Sequence, residues 1–474
     1  MRTLIICFVL GVMACGPTSR SGACTDSANC DMGPCDPGTT RTCYTGAMNT
    51  EGVGPCTGGN QTCGMSGIWE DCVGQVVPAP ENCGDHIDNN CNGMTDEDVD
   101  ADGDGYTSCG GDCCDDPSIC SDPALVNPGA FEVPGNGVDD NCDGMIDNSI
   151  PLCDTGLASN SSMAGDYAKA IDICQTATMA GSQWGVISAT LTLADGSGVP
   201  NPSSYSIRPK FGSQTMPQAG GSMAVISSGT AAAKGDMSPS WTAPSGGLAL
   251  GFDAGKTSPF PADFLAAHNG KLPNAMGCPD PQGNTANDPV MLTLTIRVPT
   301  NAHSFSIKSN FYSSEFPEYT CSAFNDFFVM LLDSTFTGSP GNPTDKNLAF
   351  YTDPNTMINY PVGVNLAKGT GLFTQCVNGA TGCLGNPGTI TTCTTTSELT
   401  GTGFDDADSG ACDNNSLVGG ATGWLTTTGN VVPGEIIKLR IAIWDTSDHS
   451  YDSLALIDDF EWSVMGADPG TVIE

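Results

Sequence analysis

An Asp/Asn/Gly/Cys pattern occurs twice in this chain, at residues 88–96 and again at residues 139–147. Six of the nine aligned positions are identical, including the cysteine and the glycine. Between the two copies, residues 100–106 read Asp-Ala-Asp-Gly-Asp-Gly-Tyr, with side-chain oxygens at every second position. Carboxylates in that spacing replace the hydration shell of Ca²⁺, and the glycines allow the tight turns between them. The sequence therefore predicts a segment that folds around a metal ion.

The candidate calcium ligands extend on both sides of this run. Asp100, Asp102, Asp104 and the carbonyl of Tyr106 follow the alternate-residue spacing of calcium loops. The bidentate Glu that closes an EF-hand is missing, so this is not an EF-hand. The alternative is an acidic loop held only by disulfides. Further candidate ligands lie in the neighbouring acidic runs: Asp112, Asp115, Asp116, Asp85, Asp88, Asn90, Asn92, Asp96, Asp139, Asn141, Asp143 and Asp147.

A second group of acidic residues lies in the C-terminal half of the chain. Glu315 and Asp326 fall in one predicted loop, whereas Asp445, Asp448 and Asp452 precede a predicted strand. Convergence of these side chains at one end of a sheet would create a second cation or ligand site. The alternative is turn chemistry, because Asp side chains also cap strands through local hydrogen bonds to the backbone.

Catalytic motifs are scarce in this sequence. Asp448-His449-Ser450 contains the residue types of a triad, but contiguous residues in one turn cannot face one another as nucleophile, base and orienting group. Gly-x-Ser-x-Gly, His-Glu-x-x-His and phosphate-loop motifs do not occur. We therefore predict that the protein is not an enzyme. A glycan hydrolase is the alternative, because paired carboxylates are abundant.

Alternating patterns predict the strands that must position these groups. A period of two marks strands with one buried face, and many such strands joined by Gly- and Pro-rich turns indicate a β-sandwich. Helical spacing predicts one helix from Ser161 to Thr178. We expect a mainly β fold, with a jelly-roll-like C-terminal sandwich preceded by disulfide-rich and calcium-loop modules that have little regular structure. The alternating apolar residues are Leu292, Leu294, Ile296, Val298, Phe305, Ile307, Phe311, Ile437, Leu439, Ile441 and Ile443.

Composition indicates an extracytoplasmic protein that does not bind nucleic acid. The chain has 474 residues, of which 53 are acidic and 15 basic, and its formal net charge is −38. Phosphate contacts need Lys and Arg, which argues against nucleic acids and anionic membrane surfaces as partners. The 24 cysteines predict a disulfide framework formed in an oxidising compartment. Zinc is disfavoured, because Cys-x-x-Cys pairs are lacking and the chain has 4 His.

The N-terminus has the features of a secretion signal. Residues 1–3 are short and basic, and residues 4–14 form an apolar run too short to span a bilayer. The sequence Val-Met-Ala-Cys-Gly at 12–16 resembles a bacterial lipoprotein lipobox. That resemblance implies cleavage before Cys15 and a diacylglycerol on its sulfur, hence a surface-exposed outer-membrane lipoprotein. The alternative is ordinary signal cleavage that leaves Cys15 for a disulfide.

Composition shifts divide the chain into five segments. The small Cys-rich segment cannot bury enough apolar surface and needs disulfide staples. We expect a signal peptide at 1–14, a lipidated tether at 15–23, a Cys-rich module at 24–77, an Asp/Cys-rich metal-binding module at 81–150 and the β-sandwich at 151–474.

The Asp-rich module resembles the MopE-like metal-binding motif family. Glu81 to Asp96 looks like the closing half of an earlier copy, and the extra Cys114 is expected to pair with Cys109 or Cys120. The resemblance implies metal binding, with copper as the alternative to calcium because the family name carries that association. Oxygen ligands favour calcium. The runs that carry the resemblance are Asp102-Gly103-Asp104-Gly105-Tyr106, Gly110-Gly111-Asp112-Cys113, Pro128-Gly129-Ala130-Phe131-Glu132 and Asp140-Asn141-Cys142-Asp143-Gly144.

Two segments of the C-terminal half resemble the choice-of-anchor L domain of bacterial surface proteins. One contains Phe-Tyr-Ser-Ser-Glu-Phe-Pro-Glu-Tyr at 311–319 and Phe-Asn-Asp-Phe-Phe-Val at 324–329. The other contains Ile-Trp-Asp-Thr-Ser-Asp-His-Ser-Tyr-Asp-Ser at 443–453 and Leu-Ile-Asp-Asp-Phe at 456–460. The resemblance covers about residues 160–465 and implies a surface protein without identifying its ligand.

Together these features predict a lipid-anchored cell-surface binding or adhesion protein. A calcium-stabilised stalk would display the β-sandwich, whose end loops bind a glycan or a protein. The alternative functions are acquisition of copper or another metal, and secreted glycan hydrolysis.

Overall fold

The chain forms two compact units in the computed structural model. Unit 1 comprises Met1–Asp102, Thr107–Gly110 and Cys114–Ser121, and unit 2 comprises Gly103–Tyr106, Gly111–Cys113 and Asp122–Glu474. The lipobox with Cys15, the tether and Asp96 lie outside the residues that the structure describes. The described residues are 35–79, 81–82, 84–95, 100–116, 120–244, 251–366, 370–381, 388–406 and 419–473.

Unit 1 is held together by disulfides. It contains the antiparallel strands β1 (Thr40–Cys43) and β2 (Gly59–Thr62) and a 3₁₀ turn at Ser108–Gly110. Among its described residues, every buried apolar side chain is a half-cystine, at positions 56, 63, 91 and 114. The expected disulfide staples are therefore confirmed, and the extra Cys114 has taken one of its two expected partners. The bonds in which both cysteines are described are Cys35–Cys63, Cys43–Cys72, Cys56–Cys91 and Cys114–Cys120.

Unit 2 is rich in strands and has short helices. The helices in its described ranges are α1 (Ala164–Lys169) and α2 (Ala262–Ala267), with 3₁₀ turns at Pro123–Leu125, Val364–Leu366 and Ser397–Leu399. No described helix combines the length and apolar character that crossing a membrane requires. The strands are β3 (Gly185–Thr192), β4 (Tyr205–Arg208), β5 (Met223–Ser227), β6 (Thr257–Ser258), β7 (Ala286–Arg297), β8 (Ser304–Ser313), β9 (Phe327–Asp333), β10 (Phe350–Thr352), β11 (Asn359–Pro361), β12 (Gly379–Thr381), β13 (Gly388–Ile390), β14 (Gly420–Asn430), β15 (Ile436–Thr446), β16 (Ser453–Ser463) and β17 (Gly470–Ile473).

These strands form two main sheets. The larger sheet has eight strands in the order β11-β10-β17-β14-β8-β16-β5-β4, and the smaller has the order β3-β7-β15-β9, with β6 added on β7. β12 and β13 form a separate hairpin. Pairing is antiparallel except between β10 and β17. The predicted mainly β fold is confirmed.

Side-chain alternation decides which faces are buried. One core contains the even-numbered residues of β7 from Val290 to Ile296 and the odd-numbered residues of β15 from Ile437 to Ile443. The larger sheet contributes Phe305, Ile307 and Phe311 of β8 to the same core. The two sheets therefore pack face to face as a sandwich. Each fully buried large apolar side chain contributes about 1.5–3 kcal/mol to this packing.

The outer face of the smaller sheet is covered by the region of α2. Phe260 and Phe264 pack there against Phe327 of β9 and Trp444 of β15. This second apolar layer explains why strands β9 and β15 are buried on both faces, as runs of consecutive buried residues show. Their sequences are accordingly more continuously apolar than a strand with one wet face.

The predicted helix at residues 161–178 is present but shorter, because α1 ends at Lys169. Asp172 has φ of 70°, in the left-handed region that terminates helices. Cys174 is then fixed by a disulfide to Cys153. A disulfide, and not a series of helical hydrogen bonds, therefore fixes the second half of the predicted segment.

Candidate cation sites

The first copy of the Asp/Asn/Gly/Cys repeat lies in unit 1 and forms a turn closed by its own side chains. Asp88 Oδ1 accepts the N–H of Asn92 at 3.0 Å, and Asp88 Oδ2 accepts that of Gly93 at 2.9 Å. Glu81 Oε1 accepts the N–H of Asn90 at 2.7 Å. Carboxylates are strong acceptors for the backbone donors of a tight turn, so these bonds fix the loop.

The second copy, in unit 2, repeats the same bonds at the equivalent residues. Asp139 accepts the N–H groups of Asp143 at 3.1 Å and Gly144 at 2.9 Å. Glu132 Oε1 accepts the N–H of Asn141 at 3.0 Å, as Glu81 does for Asn90 in the first copy. The structural repeat is therefore longer than the run of sequence identity and begins at the glutamate.

The central cysteine of each copy is anchored by a disulfide, but to different partners. Cys91 and Cys142 have φ of 60° and 56°, so both occupy the same left-handed position of the turn. Cys142 bonds to Cys113 of the Gly-Gly-Asp-Cys run, whereas Cys91 bonds to Cys56 of the Cys-rich module. The first copy lacks a preceding Gly-Gly-Asp-Cys run, and the Cys-rich module supplies the cysteine instead.

The other ligands predicted in unit 1 bind backbone groups or lie near the surface. Asp115 Oδ1 accepts the N–H of Ala101 at 2.6 Å, and Asp115 Oδ2 accepts the N–H of Ser108 at 3.0 Å. The Ser108 hydroxyl is 3.1 Å from the same oxygen. The remaining candidates are exposed or half-buried: Asp85, Asp100, Asp102 and Asp116.

The ligands predicted in unit 2 are similarly engaged. Asp104 Oδ1 accepts the N–H of Tyr106 at 2.8 Å, and Asp104 Oδ2 accepts the side-chain amide of Asn127 at 2.6 Å. Asp147 accepts N–H groups of the loop at 135–137, with its shortest bond at 2.8 Å. Asp112 is buried. A cation bound by Asp104 or Asp147 would thus share oxygens that already support turns. Binding of a cation in the Asp-rich module stays a prediction.

Four of the five acidic residues predicted in the sandwich are buried at neighbouring strand ends. Glu315 follows β8 and Asp452 precedes β16, and these strands are neighbours in the larger sheet. Asp326 precedes β9 and Asp445 lies near the end of β15, which are neighbours in the smaller sheet. Their exposed fractions are only 3%, 0%, 1% and 1% for Glu315, Asp326, Asp445 and Asp452. We call these four residues the Glu315 cluster.

Hydrogen bonds within the Glu315 cluster connect the two sheets. The Ser453 hydroxyl, at the start of β16, donates to Asp326 Oδ2 at 2.6 Å. The N–H of Asp326 donates to the carboxylate of Glu315. Asp452 Oδ2 accepts the N–H of Phe252 at 3.0 Å. The cluster is therefore a junction between strand ends of both sheets.

Several oxygens of the Glu315 cluster have no partner at hydrogen-bonding geometry. Within the described ranges this applies to Glu315 Oε2, Asp326 Oδ1 and both carboxylate oxygens of Asp445, all of them hidden from solvent. The Asp445 carboxyl nevertheless lies close to the Ser228 hydroxyl and to the Asp326 carboxyl. A buried carboxylate oxygen without a partner is unfavourable by about 1–3 kcal/mol or more. Such groups need a proton or a cation to remain in the interior.

Burial raises the pKa of every carboxyl group in the Glu315 cluster. The pKa of Asp326 rises to about 7, chiefly through burial and against the opposing hydrogen bond from Ser453. The pKa values of Glu315, Asp445 and Asp452 rise well above their ordinary range, first through burial and then through repulsion from Asp326. Full ionisation of the four groups therefore requires a compensating positive charge.

Next to this cluster lies a group that the sequence analysis did not identify. His449 Nδ1 is 2.7 Å from Asp288 Oδ2 and 3.5 Å from Asp253 Oδ1. One ligand-type atom from each residue lies within 4.8 Å of the others. Asp448, the fifth predicted residue, is half-buried, and its negative charge acts on Glu315 and Asp326 of the cluster. Its carboxylate accepts the N–H of Ser450 at 3.0 Å. The sequence feature that could have identified Asp288 is an acidic residue within the alternating pattern of β7.

Comparison with known proteins agrees with both resemblances. Residues 269–460 match the family model of the choice-of-anchor L domain. Residues 78–97 and 114–148 match the MopE family model described as "Putative metal-binding motif", and these segments contain the two copies of the turn. No curated protein and no solved structure matches the chain. The matches point to a cell-surface or extracytoplasmic protein with a metal-binding motif.

Proposed function

We propose that this protein is a lipid-anchored cell-surface recognition protein whose sandwich domain is organised by Ca²⁺ at the Glu315 cluster. The observation that carries the proposal is the set of buried carboxylate oxygens without partners on Glu315, Asp326 and Asp445. Ca²⁺ takes about 6–8 oxygen ligands at flexible geometry, which suits a cluster made of carboxylates and a hydroxyl. Binding replaces the protons that burial otherwise forces onto these groups.

Ca²⁺ at this position would order the loops at one end of the sandwich. The loop at 314–326 carries Glu315 and Asp326, and the loop at 447–452 carries Asp452. A cation that binds only the folded arrangement stabilises it by mass action, so loop order would depend on Ca²⁺ concentration. Extracellular calcium sites commonly bind in the range of about 0.1–1 mM, which matches a surface protein.

The same loops carry aromatic rings suited to ligand contact. Tyr319 lies 5.0 Å from Tyr451 and 6.0 Å from Phe324 between ring centroids, and all three side chains are half-buried. Partly exposed aromatic rings offer a flat apolar face for a sugar ring or a protein side chain. We therefore place glycan or protein recognition at this end, where calcium fixes the loops that hold the rings.

The N-terminal modules serve as the stalk in this proposal, with Ca²⁺ as their metal. Copper acquisition is the second candidate, favoured by the match to the MopE family model. The described side chains of the repeated turns present mainly oxygen, which hard cations prefer. Of the soft donors, Met94 and Met145 are 51% and 57% exposed and lie in different units. We also propose lipid attachment at Cys15, outer-membrane display and no catalytic step.

Calorimetric titration of the full chain with Ca²⁺, combined with thermal melts, tests the proposal. The native protein should bind Ca²⁺ and melt at a higher temperature with Ca²⁺ than with chelator. The variant Asp326→Asn/Asp445→Asn should bind one fewer equivalent and lose the part of the shift that belongs to the sandwich. Asp468→Asn is the matched control, because that side chain is exposed.

Two results would overturn parts of this proposal. If the double variant binds as many Ca²⁺ ions as the native protein, the Glu315 cluster is not a calcium site. If Ca²⁺ has no effect on either protein and Cu²⁺ binds tightly, metal acquisition by the N-terminal modules becomes the better account.

A further inference from the structure

The group formed by Asp253, Asp288 and His449 differs in its donors from the acidic clusters of unit 2. It combines an imidazole nitrogen with two carboxylates, and one ligand-type atom from each residue lies within 4.8 Å of the other two. His449 Nδ1 is 2.7 Å from Asp288 Oδ2 and 3.5 Å from Asp253 Oδ1. A single ring nitrogen therefore faces two carboxylate oxygens. We call these three residues the His449 group.

A bulge in β7 positions Asp288. The register of β7 on β15 shifts between Asn287 and Val290, where β7 has one residue more than its partner. Asp288 lies within this bulge and has φ of 46°, in the left-handed region. Bulges redirect side chains that a regular strand would place elsewhere, and they are common next to functional sites.

Backbone donors of one segment fix both carboxylates. Asp253 Oδ1 accepts the N–H of Gly255 at 2.7 Å, and Asp288 Oδ1 accepts the N–H of Lys256 at 3.0 Å. The N–H of Asp288 in turn donates to the carbonyl of Lys256 at 2.7 Å. The segment at 253–256 is therefore fastened to β7, and the second oxygen of Asp288 is the one that His449 contacts.

Strand β7 also holds the loop that carries His449. The side-chain amide of Asn287 donates to the carbonyl of Asp448 at 2.7 Å, one residue before His449. Adjacent residues of β7 thus supply one member of the group and hold the loop that supplies another. Side chains whose positions are fixed by surrounding hydrogen bonds are preorganised for metal binding.

The charges within the His449 group do not balance. In the described part of the chain, the ion pairs of Asp253 and of Asp288 are both with His449. A protonated imidazole would leave one negative charge uncompensated, and a neutral one would leave two. One proton on Nδ1 serves the oxygen at 2.7 Å, whereas the oxygen at 3.5 Å lies beyond the usual hydrogen-bonding range. A divalent cation in place of that proton would contact all three ligand atoms.

We propose that Asp253, Asp288 and His449 form a binding site for Zn²⁺. Zn²⁺ binds imidazole nitrogen and carboxylate oxygen at about 2.0–2.2 Å in tetrahedral geometry, which places its ligand atoms about 3.4 Å apart. The 3.5 Å between His449 Nδ1 and Asp253 Oδ1 is close to that separation. The 2.7 Å to Asp288 Oδ2 would widen when the ion replaces the proton.

The donor set favours zinc over calcium. Imidazole suits zinc and other first-row transition ions, whereas Ca²⁺ takes oxygen ligands. Three protein ligands with water in the fourth position is a coordination that zinc commonly adopts. The Asp253 carboxylate is 67% exposed, so the ion has a path of entry from solvent.

Zinc at this position would join three segments of unit 2 that are distant in sequence: residues 253–256, strand β7 and the loop at 447–452. The site shares no ligand with the Glu315 cluster, so it does not depend on Ca²⁺ binding there. It also uses no cysteine and is therefore separate from the disulfide framework.

Calorimetric titration of the full chain with Zn²⁺ in saturating Ca²⁺ tests the site, because Ca²⁺ then competes for sites made of oxygen alone. The native protein should bind Zn²⁺. His449→Asn should bind it at least about tenfold more weakly, since even groups that only orient a ligand contribute about 10–100-fold to metal affinity. Asparagine can keep the hydrogen bond to Asp288, but its amide nitrogen has no lone pair for a metal. Asp253→Asn should weaken binding likewise, and its exposed position should allow the variant to fold.

His268 provides the matched control. Its Nε2 lies 2.8 Å from Asp345 Oδ2, but no third ligand-type group completes a site there among the described residues. His268→Gln should therefore bind Zn²⁺ as the native protein does. Co²⁺ gives a second readout, because its visible absorption should change on binding to the native protein and to His268→Gln but not to His449→Asn. A purely structural hydrogen bond would produce no such change.

Two results would overturn the assignment. Equal Zn²⁺ affinity of the native protein, His449→Asn and Asp253→Asn would place the bound ion elsewhere. Absence of Zn²⁺ binding by the folded native protein would show that the His449 group is an ordinary hydrogen-bonded pair beside a surface carboxylate. Asp326→Asn/Asp445→Asn should retain the zinc site, so failure of the calcium proposal and failure of this one are distinguishable.

Discussion

Gly229 and Asp452 occupy one corner of the sandwich so closely that a Cβ at Gly229 would lie 1.9 Å from Asp452 Oδ2. The same oxygen accepts the N–H of Phe252 at 3.0 Å. The backbone on two sides therefore determines where the Asp452 carboxylate lies. A member of the Glu315 cluster is thus positioned by main-chain packing, which is the kind of preorganisation that a ligand site requires.

Gly229→Ala should weaken the Ca²⁺ response of the sandwich. The new methyl group must displace the Asp452 carboxylate, and overpacking of this kind costs about 1–3 kcal/mol. Urea unfolding with and without Ca²⁺ measures both effects. Gly165→Ala in α1 is the matched control, because no atom lies within 4 Å of a Cβ there. A Ca²⁺ response equal in the two variants would contradict the placement of Asp452 in the site.

Asp445→Asn should change stability in opposite directions with and without Ca²⁺. In chelator, the substitution removes a buried acid that repulsion from Asp326 and Asp452 disfavours, so the variant should be at least as stable as the native protein. In Ca²⁺, loss of a ligand should remove most of the stabilisation, about 2.7 kcal/mol when the ion is at 100 times its Kd. Thermal melts in the two buffers measure the difference. A variant that is less stable by the same amount in both buffers would indicate a packing role only.

The salt bridges around Asp263 should make the stability of α2 depend on pH. Arg440 Nη1 lies 2.9 Å from Asp263 Oδ1 and Lys346 Nζ 2.8 Å from Asp263 Oδ2, and these bonds, that of Arg440 foremost, hold the Asp263 pKa below its ordinary value. Because the folded-state pKa is depressed, the stabilisation is present above the unfolded pKa of about 3.9 and is lost as pH falls below it.

Asp263→Asn should therefore cost about 1 kcal/mol at pH 7, since the carboxylate is partly exposed and its salt bridges are screened. The difference between native and variant proteins should shrink toward pH 3. Urea unfolding at pH 3, 5 and 7 measures it. Asp280→Asn is the control, because the pair with Lys271 is 72–73% exposed and should contribute little at any pH. A difference that stays constant from pH 7 to pH 3 would contradict the assignment.

Removal of the Cys56–Cys91 disulfide should unfold much of unit 1. The buried apolar side chains described in that unit are half-cystines, so Cys56→Ser/Cys91→Ser removes both a covalent link and part of the core. Loss of such a bond typically costs about 2–5 kcal/mol. Limited proteolysis should then cleave within residues 35–95 and leave the sandwich intact.

The equivalent bond in the second copy of the turn provides the comparison. Cys113→Ser/Cys142→Ser should be milder, because Phe131, which directly precedes the glutamate of that copy, is also held by the side chain of Asn301 through bonds of 3.0 and 2.8 Å. Equal protease sensitivity of the two double variants would show that the disulfides alone support both copies.

Sequence alone identified the strands that matter most for the site. The runs at 292–298, 305–311 and 437–443 were predictable because a strand with one buried face repeats every two residues. The prediction of a helix at residues 161–178 was only partly correct. The apolar spacing continues past Lys169, but the helix ends there and Asp172 adopts left-handed backbone angles, which the spacing does not encode.

The sequence by itself determined which residue types were available: a repeated acidic turn, a cysteine framework and acidic loops next to strongly alternating strands. These features are local, because hydrogen bonds within a turn and the period of a strand involve neighbours in the chain. Only the tertiary structure decided which carboxylates are buried next to one another. Asp445 is distant in sequence from the loop that carries Glu315 and Asp326, and it lies beside Asp326 because β15 pairs with β9. Burial and convergence are properties of the packed fold, and they distinguish a candidate cation site from an ordinary acidic loop.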